Sequence, residues 1–312
     1  MAEPVASVAL VLDAALGWPA WLYARIGHPV GAFARIIGMC ERRWNRPERT
    51  EGGRRFLGVV TICILVTVAG GGAWLIQSAI HAFIGPEGWP LVALLACPAL
   101  AQRSLHDHVR PVASALTAGD LASARRRLAM IVGRDTGDLD EAGVARAAIE
   151  SLAESFCDGV AAPLFWLVVL GLPGVWAYKA VNTADSLIGH REERWRAFGW
   201  AAARTDDLLN LIPARLAGPA ICLAGGGGWR VMVRDAGRHA SPNAGWTEAA
   251  MAGALRLRLA GPVAYDGLLR DRAWIGDEGG ADDAAAIKHA LAIYVRACLL
   301  LWIVAGGIAW VR

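Results

Sequence analysis

A chain of 312 residues that is 55% hydrophobic and carries 14 tryptophans is too apolar for an ordinary soluble domain, and its length suits one polytopic membrane domain. The net charge of +3 says little about partners. Most of the arginine lies between apolar segments, where it reports membrane topology rather than nucleic-acid binding. The six cysteines are scattered and never form a CxxC pair, which argues against a zinc knuckle or a disulfide framework and fits reduced thiols in or near a bilayer.

Val5 to Leu16 is apolar and short, with Asp13 inside it, and reads either as a marginal span or as an interfacial helix. It lacks a basic leader and an obvious cleavage site, so it is expected to be a retained anchor. Gly17, Trp18 and Pro19 break it. The arginine-rich stretch from Gly27 to Arg55 follows. Within it, Val30 to Trp44 can form a helix with Phe33, Ile36, Ile37 and Cys40 on one side. His28, before Pro29, reads as a turn residue. Phe56 to Ile84 is the clearest transmembrane helix, longer than the about 20 residues needed to span. Gly85, Pro86 and Gly88 make a turn, and Leu91 to Ala101 returns with a bend at Pro98.

Arg103 to Asp158 is polar, arginine-rich and helical. Arg103, Ser104 and His106 are candidates to hold an anion together. Asp138 and Glu141 have the spacing of a capping box. In the helix that follows, Arg146, Glu150, Glu154 and Asp158 recur every four residues, so three carboxylates lie on one broad stripe that drifts about 40° per step. Two readings stand: a helix-dipole and surface-pair feature, with Arg146 paired to Glu150, or a divalent-cation site at the edge of the apolar run from Val160.

Val160 to Leu170 is apolar, Leu172, Pro173 and Gly174 form a break, and Val175 to Gly189 continues. Arg146 lies before this segment and Arg191, Arg194 and Arg196 after it, so a hairpin that enters and returns is expected. On its second arm Lys179, Asn182, Thr183, Ser186 and His190 share a face about 100° wide, with Asp185 at the edge. Lys179 either meets a carboxylate, phosphate or nucleotide, or snorkels to the interface. Arg204, Asp206, Asp207 and Asn210 form a second polar group, read either as capping or as a further metal contribution. Leu208 to Leu223 is apolar around Pro213 and Arg215. The four glycines from Gly225 lack the Lys-Ser/Thr of a phosphate loop. Trp229 to Lys288 reads as helical in pieces. Ser241 to Trp246 marks a tight turn that carries Ser241 and Asn243, before a helix opened by Glu248. Ala290 to Val311 is the last candidate span. The chain is thus expected to be all-α and polytopic, with about four to six membrane helices, a re-entrant or hairpin segment, and polar cytoplasmic regions near 103–158 and 229–288 within a single domain, 1–312.

Several strings carry a resemblance: HPV from His28, RSLHDH from Arg103, MIVGRDT from Met130 (including Arg134 and Asp135), and LDEAGVARAAIESLAES from Leu139 with the following DGVAAPLFW. AYKAVNTADSLIGH from Ala177, FGWAAARTDDLLNLIPARL from Phe198 and SPNAGWTEAAMAGAL from Ser241 continue it. In this order the chain is similar to the CobD/CbiB family, adenosylcobinamide-phosphate synthases of cobalamin biosynthesis. It departs from the family pattern at Thr247, where Pro is usual, and at Cys157, where a small or polar residue is common.

The resemblance implies a multi-pass enzyme of the bacterial inner membrane with its active site facing the cytoplasm. It would join adenosylcobyric acid to (R)-1-aminopropan-2-ol phosphate, or a related amino alcohol, through an amide bond at the expense of ATP. It implies ATP and Mg²⁺ as cofactors, the corrinoid as substrate, the bilayer as surroundings, no nucleic acid, and other membrane-associated enzymes of the pathway as candidate partners. On this basis Glu150, Glu154, Asp158, Asp185 and Asp206 are metal or acid/base candidates. Lys179, Arg134, Arg103, Arg204 and Arg215 are phosphate or carboxylate candidates, beside Asp135 and the polar residues named above. The rival classes are a corrinoid transporter and a non-catalytic membrane scaffold.

Overall fold

The computed structural model describes residues 4–190, 192–265, 268–270, 273–277, 279–280 and 282–311. Arg191 lies outside them. In chain order the elements are α1 (Val5–Leu16), α2 (Ala20–Ile26), α3 (Pro29–Trp44), α4 (Glu51–Val66), α5 (Gly72–Ile84), α6 (Trp89–Ala96), α7 (Gln102–Thr117), α8 (Leu121–Leu128) and α9 (Glu141–Phe156). Then come α10 (Ala162–Ile188), α11 (Glu193–Arg196), α12 (Trp200–Gly225), α13 (Trp229–Asp235) and α14 (Ala244–Leu255). Four short strands follow, β1 (Leu259–Ala260), β2 (Val263–Tyr265), β3 (Leu268–Arg270) and β4 (Trp274–Ile275), before α15 (Ala284–Val311). Among the described residues, four helical runs are long and apolar enough to cross a membrane: Glu51–Thr117, Glu141–Ile188, Trp200–Gly225 and Ala284–Val311. A pair bent by 101°, Val5–Leu16 with Ala20–Trp44, raises the count to five if it forms one broken span. The protein is an all-α polytopic membrane protein.

The chain packs as two compact units. The first comprises residues 1–101, 162–210 and 305–312. Phe33, Ile37 and Cys40 of α3 bury their expected face against Ile62 and Leu65 of α4 and Ala180, Val181, Ala184 and Ile188 of α10. Gly58 of α4 is obligatory here, because a Cβ would sit 2.0 Å from the Phe198 carbonyl oxygen. The break in α10 falls at Gly171, whose φ of 68° is open to glycine and strained for other residues. The Gln77 side chain accepts the Leu172 N–H at 2.9 Å and so satisfies backbone freed by the kink. Trp166 and Tyr178, on opposite sides of Gly171, donate to adjacent residues of α12, Leu209 and Asn210. A straight helix would separate them by about 18 Å. Their convergence is what a hairpin requires.

The second unit comprises residues 102–161 and 211–304. Its centre is α9, with Val144, Ala148, Ile149, Leu152 and Phe156 buried, packed against α7, α8, α14 and β1. Small side chains let the helices approach closely: a Cβ on Gly253 of α14 would meet the Gly228 Cα at 2.7 Å.

Five local expectations need correction. The cap of α9 is Asp140, which accepts the Gly143 N–H at 2.7 Å, and Asp138 lies upstream of it. Arg146 pairs with Asp282 at 2.6 Å and lies over the Trp274 ring, not with Glu150. The stretch 229–288 contains two antiparallel two-stranded sheets, β1–β4 and β2–β3. The Ala-rich helix opens at Ala244, where the Ser241 Oγ accepts the Asn243 and Ala244 N–H groups. The last helix starts at Ala284 because the Asp283 carboxylate caps it through the Ala286 N–H.

Candidate functional site

In the second unit a cavity of about 210 Å³ is enclosed by charged side chains from three places in the sequence: Arg134, Glu150 and Glu154 of α9, and His239 with Glu248 of α14. Ser151 and the backbone from Ile131 to Gly133 complete its wall. The stripe spacing of α9 brings Glu150 and Glu154 to this one space. Their environments differ. Glu150 is 4% exposed; it pairs with Arg134 and accepts the Ala260 N–H at 2.8 Å. The Glu154 carboxylate makes no hydrogen bond or ion pair among the described residues and borders the cavity from its exposed side.

His239 Nδ1 accepts the Ser241 N–H at 3.0 Å, so the proton of the neutral ring belongs on Nε2, which faces Glu248 Oε1 at 3.5 Å. The turn that caps α14 thereby orients the imidazole. An adjoining cavity of about 270 Å³ shares Ile131 and Ser151 and is lined by Ser104, His108 and Ser155. Ser104 thus reaches a cavity beside His108. Arg103 and His106 both contact Asp107, each at 3.3 Å, on the exposed side of α7.

Asp235, at the end of α13, is fully buried. The Arg234 guanidinium, the Gly276 N–H and the charge of Arg238 hold its carboxyl below the ordinary value against the opposing effect of burial. This cluster ties the end of α13 to the strand segment. Arg215 donates to the Leu211 carbonyl and to Asn243 Oδ1 and lies 5.0 Å over the Trp246 ring. Arg215, Ser241 and Asn243 therefore build the turn before α14.

In the first unit, α10 and α12 form a buried polar network. Asp206 accepts from Asn182 at 3.3 Å and from Asn210 at 2.9 Å, and Tyr178 donates to Asn210 at 3.0 Å. Thr183 and Ser186 donate to the Lys179 and Asn182 carbonyls of their own helix, and His190 is exposed. Lys179 is half-buried and close enough to His28 for its charge to act on that ring. Arg204 pairs with Asp207 at 3.7 Å on an exposed face.

Of the five metal candidates, Glu150, Glu154 and Asp158 belong to the second unit and Asp185 and Asp206 to the first. Both oxygens of Glu150 and both of Asp206 already accept hydrogen bonds. Among the described residues, no three His, Cys, Asp or Glu side chains converge as a metal site. Asp158 lies in the π-helical turn Cys157–Ala161, and Asp185 is half-buried on α10.

His239 and Glu248 are the cavity residues that sequence reasoning passed over as site candidates. The available signal was Glu248, the one carboxylate in the otherwise Ala-rich α14.

Bilayer-length helices and an ion-paired cavity in the second unit define a multi-pass membrane protein with a polar site. The family model described as CobD/Cbib protein matches residues 6–294, and the chain belongs to this family of cobalamin biosynthesis proteins. Similar proteins include a "Cobalamin biosynthesis protein CobD" of Rhodobacter capsulatus, 49% identical over 97% of this chain and 96% of the relative. Proteins with the same description from Sinorhizobium sp and Geobacter metallireducens are 46% and 42% identical, covering 95% and 97% of this chain and 95% and 96% of the relatives. No solved structure matches the chain.

Proposed function

We propose that the protein is an ATP-dependent amide ligase that joins adenosylcobyric acid to (R)-1-aminopropan-2-ol phosphate, or a related amino alcohol, at the cytoplasmic face of the bacterial inner membrane. The observation that carries this reading is the cavity in which an ion-paired Glu150 stands beside Glu154 and a His239–Glu248 pair.

Its volume is below the roughly 300–1,000 Å³ of drug-sized ligand pockets, so it suits the small amine and not the corrinoid. An amine arrives as an ammonium ion and attacks only after losing a proton. In this reading Glu154 pairs with that ammonium and takes the proton, while the ion pair with Arg134 fixes Glu150. The corrinoid carboxylate is a poor acyl donor; its oxygen attacks the γ-phosphorus of ATP, the bond to ADP breaks, and an acyl phosphate and ADP result. The amine nitrogen then forms the C–N bond as the C–O bond to phosphate breaks and phosphate leaves with the electron pair. Lys179 is retained as a contact for a phosphate or carboxylate, and Asp158 as an acid/base candidate. A scaffold or transporter has no need of a proton acceptor beside an amine-sized cavity.

The test is ATP turnover by the purified chain in nanodiscs. The reading expects turnover only when both corrinoid and amine are present, and a loss of most of it in Glu154→Gln. Turnover without dependence on either substrate, or none at all, contradicts it.

A further inference from the structure

A second charged site lies in the first unit. A cleft of about 560 Å³ is lined by Arg42, Arg46, Arg54 and Arg194, with Glu41, Asn45 and Glu193. Its arginines come from the end of α3 (Arg42), the turn after it (Arg46), the first turn of α4 (Arg54) and α11 (Arg194). Two of them are held in place rather than waving in solvent. Arg54 donates to Asn45 Oδ1 at 2.7 Å and to the Arg194 carbonyl, while Asn45 Nδ2 donates to that same carbonyl at 3.0 Å. Arg194 donates through two nitrogens to the nearly buried Glu41 and stacks over the Trp195 ring at 4.5 Å. Arg42 and Arg46 project beside them on the exposed side.

Four guanidinium groups against two carboxylates leave the cleft positive. Guanidinium groups fixed by neighbours lose little freedom on binding and match phosphate oxygens in pairs. The cleft opens beside the start of α4, where the chain turns apolar at Phe56.

We propose that this arginine cleft binds a phosphate-bearing anion. That chemistry has two sources, a nucleotide polyphosphate or the headgroup of an anionic phospholipid. The volume accommodates either. The proposal does not depend on the ligase reading.

The experiment uses the full chain and the double variant Arg42→Gln/Arg46→Gln, whose side chains are exposed and whose loss leaves the Arg54 and Arg194 contacts intact. In phosphatidylcholine nanodiscs, binding of ATP, ADP and adenosine is measured at equilibrium. In a second arm, native mass spectrometry of the detergent-solubilised chain counts retained phosphatidylglycerol against phosphatidylcholine. The proposal expects at least about a tenfold loss, in the double variant, of either ATP affinity or phosphatidylglycerol preference, with adenosine and phosphatidylcholine unaffected. The affected arm identifies the source. Arg42→Lys/Arg46→Lys, which keeps charge but not paired donors, should fall between the two. A double variant that binds ATP and retains phosphatidylglycerol like the wild type overturns the proposal, even if the chain proves to be a ligase.

Discussion

Replacing Glu150 by alanine should cost far more than an ordinary surface substitution, and the structure says why. The carboxylate is almost buried, at 6% side-chain exposure, and its partner Arg134 is 15% exposed. Removing one member of a buried ion pair leaves the other charge uncompensated, which costs about 3–5 kcal/mol. Glu150 also accepts the Ala260 N–H, and Ala260 holds a φ of 61°, a conformation that costs a non-glycine residue roughly 1–3 kcal/mol and persists only where neighbours enforce it. These contributions share one side chain and do not add, so about 4 kcal/mol is expected for Glu150→Ala. Glu150→Gln keeps an oxygen for Ala260 and should cost less. The assay is denaturant unfolding of the solubilised chain for Glu150→Leu, Arg134→Met and the double variant. The double variant should be more stable than the sum of the singles implies by at least about 1.5 kcal/mol. Singles that each cost under about 1 kcal/mol, or a strictly additive double, would refute the reasoning.

Asp235 supplies a pH prediction. Its folded carboxyl titrates below the ordinary value, so its stabilisation is fully present above about pH 3.9 and is lost as pH falls through the folded value. Asp235→Asn should therefore lower the melting temperature at pH 7, with the gap to wild type closing as pH falls below about 4; a gap independent of pH would contradict the charge-based account. Lys179→Met should weaken substrate affinity or turnover by at least about tenfold, or about 1.4 kcal/mol, measured by steady-state kinetics, and unchanged kinetics with normal insertion would return Lys179 to a snorkelling role. The arginine-rich segments 25–55, 103–158 and 190–207 should share the cytoplasmic side, so a cysteine placed at Ala118 should resist an impermeant thiol reagent applied to intact cells, and strong labelling there would break the topology.

The membrane helices were legible because composition and length alone decide them: the run from Phe56 to Ile84 and the break near Pro173 need no tertiary information. The helix phase of α9 was legible too: of the three carboxylates expected on one stripe, Glu150 and Glu154 line one cavity, while Asp158 falls in the π-helical turn beyond the helix. What that phase does not contain is the partner. Arg134 lies in an irregular loop, and its pairing with Glu150 is set by tertiary packing. Arg146 illustrates the same limit, since an i,i+4 pair with Glu150 was available locally but Asp282, far along the chain, competed successfully. The strands β1 to β4 escaped notice because each is only two or three residues long and carries no alternating pattern. His239 was hidden in a turn whose obvious signals, Pro242 and Asn243, describe backbone shape.

The central claim, that ATP activates the corrinoid carboxylate as an acyl phosphate for attack by the amine, is tested most directly by isotope transfer. Adenosylcobyric acid labelled with oxygen-18 in the reacting carboxylate is incubated with the purified chain, ATP and (R)-1-aminopropan-2-ol phosphate, and the product and released phosphate are analysed by mass spectrometry. The account predicts an amide product together with one labelled oxygen in the inorganic phosphate, because phosphate departs with a carboxylate oxygen. An amide formed with unlabelled phosphate, or no amide at all, would contradict it.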